Sequence, residues 1–120
     1  DDKRREGVML CRDAGEPWVG ARDYEAKCLA LGALPLTRVF QESAQARCNL
    51  SYMALDEPQF EALTDCIRVN RVIEDLELVN SGLQVSSLAE LVRALCANEH
   101  SIVTSLDISH NPRIASEAAQ

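Results

Sequence analysis

The segment from Cys48 to Asn98 repeats itself at a shift of 28 residues, and this self-match limits the chain to a few architectures. Cys48, Leu50 and Leu55 fall on Leu76, Leu78 and Leu83, because 76−48, 78−50 and 83−55 each equal 28. Phe60, Leu63, Ile67 and Asn70 fall in turn on Leu88, Leu91, Leu95 and Asn98. A third copy opens at Val103, Leu106, Ile108 and Asn111, where 106−76 gives 30. A period of this length belongs to chains of stacked supersecondary units, each burying its apolar face against its neighbours. Such chains offer an extended surface rather than one central cavity.

Each copy has two halves with different apolar periods. In the first half apolar residues alternate: Cys48 and Leu50, Leu76 and Leu78, Leu106 and Ile108. Asn49, Glu77 and Asp107 lie between them, so a short strand would point these polar residues away from the core. In the second half the spacing becomes helical, with Phe60, Leu63 and Ile67, then Leu88, Leu91 and Leu95, at i, i+3 and i+7. Pro58 behind Asp56 and Glu57 suits a first helical turn. Ser87 and Glu90 have the spacing of a capping box, and Asn70 and Asn98 are placed to end the two helices in the left-handed conformation. The unit is therefore strand, turn, helix, turn, the helix supplying the crossover that parallel strands require. The two extra residues near Glu99-His100-Ser101 are expected in a surface loop.

Residues 1–22 form an N-terminal extension in which Gly7 to Cys11 suggests a short strand and Trp18 a packing residue over the open end of the core. Residues 23–44 are expected to form a helical cap that closes the first repeat. There Asp23 serves as N-cap, Tyr24, Cys28, Leu29 and Leu31 as an apolar face, and Gly32 as the left-handed terminator. Pro35 opens a second short helix that buries Leu36, Val39 and Phe40. Residues 45–120 hold the repeats, two complete and a third truncated. The stretch from Ile114 to Gln120 has the pattern of a helix entry, so the chain is expected to be the N-terminal piece, or the ordered part, of a longer protein, with a partner chain over this end as the alternative.

The formal net charge of −7 and the pI near 4.7 set the surface against phosphate backbones, so nucleic acid is not expected as a partner. No run approaches the roughly 18 apolar residues that a membrane span needs, and the start DDKRREG lacks the apolar core of a signal peptide. The five cysteines include no CxxC pair, and three occupy apolar repeat positions, which fits reduced thiols in the cytoplasm and no metal or other cofactor. Cys66 and Cys96 next to core positions are expected to be apolar fillers rather than nucleophiles. With no phosphate loop and no nucleophile elbow, neither an enzyme nor a small-molecule substrate is expected.

The segments Ile73-x-x-Leu76-x-Leu78-x-x-Ser81-x-Leu83 and Val103-x-x-Leu106-x-Ile108-x-x-Asn111 resemble the LxxLxLxxN signature of leucine-rich repeats, and Leu106 to Pro112 is similar to LDLSxNP. Unit lengths of 28 and 30 residues with a full helix resemble the ribonuclease-inhibitor-like class. The resemblance implies an α/β leucine-rich-repeat solenoid, a right-handed β-α superhelix with short parallel strands on its concave side and helices on its convex side. It also implies an asparagine ladder along the strand turns, thinned here because Met53 and Ser81 precede Asn111 at that position. The segment Tyr24-x-x-x-Cys28-x-x-x-Gly32-x-x-Pro35 is similar to the leader of cytoplasmic and ciliary proteins of this class.

Taken together, these features point to a non-catalytic scaffold that binds other proteins in a cytoplasmic, cytoskeletal or ciliary assembly. The alternative that the resemblance implies is regulation of a small GTPase, although no catalytic residue of such a family maps onto this chain. The expected binding positions are the concave-face residues Asn49, Ser51, Glu77, Val79, Asp107 and Ser109, polar or acidic apart from Val79, which suits a basic partner.

Overall fold

The computed structural model describes residues 16–114, so the expected strand at Gly7 to Cys11 and the helix entry beyond Ile114 lie outside the described residues. Four helices and three strands alternate after a helical pair: α1 (Ala21–Leu31), α2 (Thr37–Ser43), β1 (Arg47–Asn49), α3 (Glu57–Ile67), β2 (Asp75–Glu77), α4 (Val85–Ala97) and β3 (Ser105–Asp107). The strands form one parallel sheet in the order β1-β2-β3. Cys48 lies opposite Leu76 and Leu76 opposite Leu106, the positions that the self-match equates. In the helical layer α1 packs on α3 and α3 on α4, while α2 lies against β1.

Burial follows the two periods. Cys48, Leu50, Leu76 and Leu78 are wholly buried beneath Phe60, Leu63 and Ile67 of α3 and Leu91 of α4. Each such leucine contributes roughly 1.5–3 kcal/mol by leaving water. Asp56 caps α3, its carboxylate accepting the Gln59 N–H at 3.1 Å, with Pro58 in the first turn behind it. Gly32 ends α1 at φ +71°, and the Ala33 N–H reaches back to the Cys28 carbonyl at 2.8 Å.

Several local expectations are corrected. Helix α1 starts at Ala21 with Gly20 as N-cap, so Asp23 lies inside the first turn and the helix crosses the 22/23 boundary. Gly20 has φ +85°, and a Cβ there would sit 2.4 Å from the Cys66 carbonyl oxygen, so only glycine lets this turn close on α3. Trp18 is 44% exposed; Val19 is the residue of that turn that enters the core. On α1 only Tyr24 and Cys28 of the expected face are buried, and Leu29 and Leu31 are exposed, because α1 packs mainly on α3, which covers one narrow stripe. Helix α2 begins at Thr37, two residues after Pro35, and of its expected core only Val39 is fully buried. Helix α4 begins at Val85, which puts Ser87 inside the helix, and Glu90 pairs with Arg93 instead of closing a capping box.

Asn70 and Asn98 do not take the left-handed conformation; Asn98 is extended at φ −86° and ψ 99°. Their side chains turn inward and tie backbone segments together. The Asn98 amide donates to the carbonyls of Ile67 and Asn70, at 2.9 and 2.7 Å, and its oxygen accepts the His100 N–H. Asn70 does the same one layer earlier, donating to Val19 and Ser43 at 2.7 and 2.8 Å and accepting the N–H groups of Val72 and Ile73. At the other end of the strands Asn111 donates to Leu78 and Ile108 and accepts from Ser81 and Leu83. Left-handed residues do mark the period, at the strand exits: Tyr52, Asn80 and His110, spaced by 28 and 30.

Asn98→Ala would leave two carbonyls and one N–H of this junction without partners. The expected loss is about 2–4 kcal/mol, seen as a lower urea midpoint with an unchanged m-value. Gly20→Ala would lower the midpoint as well, since it combines the left-handed cost with the clash on Cys66.

Candidate docking face

Alternation in three short strands sends one set of side chains to the helices and the other set to the opposite face of the sheet. On that open face the register sets Arg47, Asp75 and Ser105 in one row and Asn49, Glu77 and Asp107 in the next. Strand spacing of about 4.8 Å separates neighbours within a row. The Arg47 guanidinium lies across β2 and forks onto the Glu77 carboxylate at 2.8 and 3.0 Å. This hydrogen-bonded pair lowers the Glu77 carboxyl below the ordinary glutamate value and raises Arg47. Asp107 accepts the Ser109 N–H at 3.0 Å and its hydroxyl at 2.7 Å, which likewise lowers its carboxyl. Both groups therefore favour the folded state above the ordinary carboxylate range, and that contribution fades as pH falls through their lowered values.

Of the six expected binding residues, five are wholly or partly accessible. Asp107 and Ser109 are exposed, and Asn49, Glu77 and Val79 are half-buried. Ser51 is corrected: only 5% exposed, it turns its hydroxyl inward to accept the Val79 N–H at 3.0 Å. Its strand has already ended at Asn49, so alternation no longer holds there. The Asn49 side chain accepts the Ser51 N–H at 3.0 Å, a local ring of the kind Asp107 and Ser109 form two units later.

Arg47 and Ser105 belong to the same face and were not expected. The signal was present, because each precedes an inward apolar residue as regularly as Asn49, Glu77 and Asp107 follow one. Among the six strand residues of the two rows three carboxylates stand against one guanidinium, so the face is acidic, though less so than the carboxylates alone suggest.

A second concavity opens on the helical layer, floored by Phe60 and Thr64 of α3. At its rim Asp65 is shared by Arg68 at 2.9 Å and Lys27 at 4.0 Å, and Glu57 and Glu61 line it as well. Cys28, Cys48 and Cys66 are buried and desolvation raises each thiol, Cys66 to about 12, so none is a thiolate near neutrality. Cys96 is exposed, which corrects its expected role as filler; Cys11 lies outside the described residues. Among the described residues no group of three or more histidines, cysteines or carboxylates is arranged to hold a metal ion, and no helix is long and apolar enough to cross a membrane.

Over 85 residues the chain is 32% identical to Protein CARMIL of Dictyostelium discoideum, an alignment covering 71% of this chain and 8% of that protein. The chain thus spans a small part of the curated relative it matches. No protein-family model and no solved structure matches it.

Two measurements check the site. Arg47→Ala should move the Glu77 titration, followed by carboxyl NMR, up toward the ordinary glutamate value, since the hydrogen-bonded cation holds it down. In a Cys11→Ser background, a thiol reagent should label Cys96 at once in the native protein. Cys28, Cys48 and Cys66 should be labelled only as fast as the fold opens.

Proposed function

We propose that this chain is the cap and first units of a leucine-rich-repeat solenoid, acting as a non-catalytic protein-binding scaffold in a cytoplasmic, cytoskeleton-associated assembly. The similarity to Protein CARMIL over 85 residues is in keeping with this reading. The observation that carries the reading is the open sheet face, where each unit adds a regular pair of outward residues to a surface backed by a packed core. Repetition of that kind suits an extended partner, which gains contacts in proportion to the number of units it spans.

Charge selects among partners. Asp75, Glu77 and Asp107 outnumber Arg47, so a basic segment of another protein fits the face best. Arginine is the favoured contact, because its planar fork matches a carboxylate in the way Arg47 already grips Glu77. The helical groove makes a weaker claim, because Asp65 at its rim is already held by Arg68 and Lys27.

Charge reversal tests this reading. Asp75→Lys with Asp107→Lys should weaken co-purification of the physiological partner about tenfold or more, as loss of complementary charges across an interface does. Glu61→Lys on the helical side should leave it unchanged. Equal loss from both variants, or from neither, would remove the sheet face from the proposal.

A further inference from the structure

On the open face of the sheet one cation lies over one carboxylate. The Arg47 side chain is 73% exposed and that of Glu77 20%, so a partner arriving from solvent meets the guanidinium before the carboxylate it covers. The contact uses two donors, Nε and one terminal nitrogen, at 2.8 and 3.0 Å. An incoming arginine would bind a carboxylate in the same forked geometry, so it competes with Arg47 for the same two oxygens. Glu77 is moreover the centre of its row, with Asn49 on one side and Asp107 on the other.

The register gives Arg47 a second seat. Its opposite residue on β2 is Asp75, one strand spacing of about 4.8 Å away, whereas Glu77 is reached diagonally, two residues further along β2. Asp75 is half-buried and, among the described residues, forms no ion pair of its own. Its charge already adds to the field that favours the Arg47 cation. Both carboxylates belong to one face of one strand, so the long side chain can pass between them by changing rotamer, with no movement of the sheet.

We infer that Arg47 is a displaceable latch on the docking face: an arginine of a basic partner takes the Glu77 carboxylate, and Arg47 moves across to Asp75. This rests on the reading of the sheet face as a site for a basic segment, and it adds the residue that sets how tightly that segment is held. The exchange leaves two ion pairs where there was one, so no cation is stranded by docking. Asp75 then serves as a positioning residue, helping the partner by receiving Arg47. In the free chain the latch keeps the central carboxylate answered, and a basic segment that cannot displace the fork gains only the flanking charges.

The probe is a fluorescein-labelled peptide of alternating glycine and arginine, its affinity for the full chain read by anisotropy and the Arg47 Nε–H signal followed by NMR in the same titration. The signal should shift in step with binding, and Arg47→Gln should tighten the peptide about two- to fivefold, the worth of an exposed ion pair. Arg47→Lys, which keeps the charge but loses the fork, should show part of that gain. Asp75→Asn should weaken the peptide in the wild-type background and much less in the Arg47→Gln background, where no cation needs the second seat. An Nε–H signal unmoved at saturation would overturn the inference. So would a gain absent from Arg47→Lys, which reduces the effect to bulk charge, or equal losses from Asp75→Asn in the two backgrounds. Each of those results leaves the docking face standing. A peptide that binds no variant, or that binds equally well when Glu77→Gln is added to Arg47→Gln, removes the reading of the face and the latch with it.

Discussion

Three buried asparagines hold successive layers of this molecule to one another, and much of the remaining order depends on them. Short strands contribute few backbone bonds, and a helix leaves its last carbonyls without intrahelical partners. Asn98 takes up the carbonyls at the end of the preceding helix, and Asn70 performs the same service against the cap. One primary amide can donate twice and accept twice, which no aliphatic residue at the same place could do. Val19 and Ser43 therefore imitate, with a turn and a short helix, the helix end that an earlier unit would have offered. The Tyr24 hydroxyl completes the attachment: it donates to Gln59 at 2.5 Å and accepts the Leu36 N–H at 2.9 Å, while Gln59 bonds the Leu34 carbonyl.

The division of labour between the two faces follows from this arrangement. Helices α3 and α4 turn apolar stripes to the core, and Asp65 and Glu90 pair with Arg68 and Arg93 three residues on. Among the described residues no layer covers the sheet face, so its charged residues are answered only by one another. Arg47 on Glu77 is the single ion pair there among the described residues, and Asp107 is steadied by the neighbouring Ser109 instead of a cation. The partners of Glu77 and Asp107 favour the ionised form of both carboxyls.

Much of this was legible in the chain. The shift of 28 residues placed the three strands and the two repeat helices correctly, because strand and helix periods write buried positions directly into the order of apolar residues. What failed was information that is not periodic. Trp18 and Val19 are adjacent, and only the close approach of Gly20 to Cys66 decides which of them enters the core. Asn70 and Asn98 looked like helix terminators since asparagine tolerates left-handed backbone, yet each satisfies partners far along the chain. Ser51 was misplaced for a similar reason, the strand turning before alternation could carry its hydroxyl outward. Arg47 was overlooked although its position was as regular as that of Asn49.

The asparagine bonds and the strand ladders both run from one layer to the next, and this orientation governs how the molecule would carry a load. Tension between its first and last layers would act along those bonds and not across them, so the interfaces would be peeled instead of sheared. Peeling engages one junction at a time. A molecule of this build would lengthen in steps, beginning with the junction that has the fewest cross-layer bonds, and would behave under pull as a chain of small springs rather than as a rigid strut.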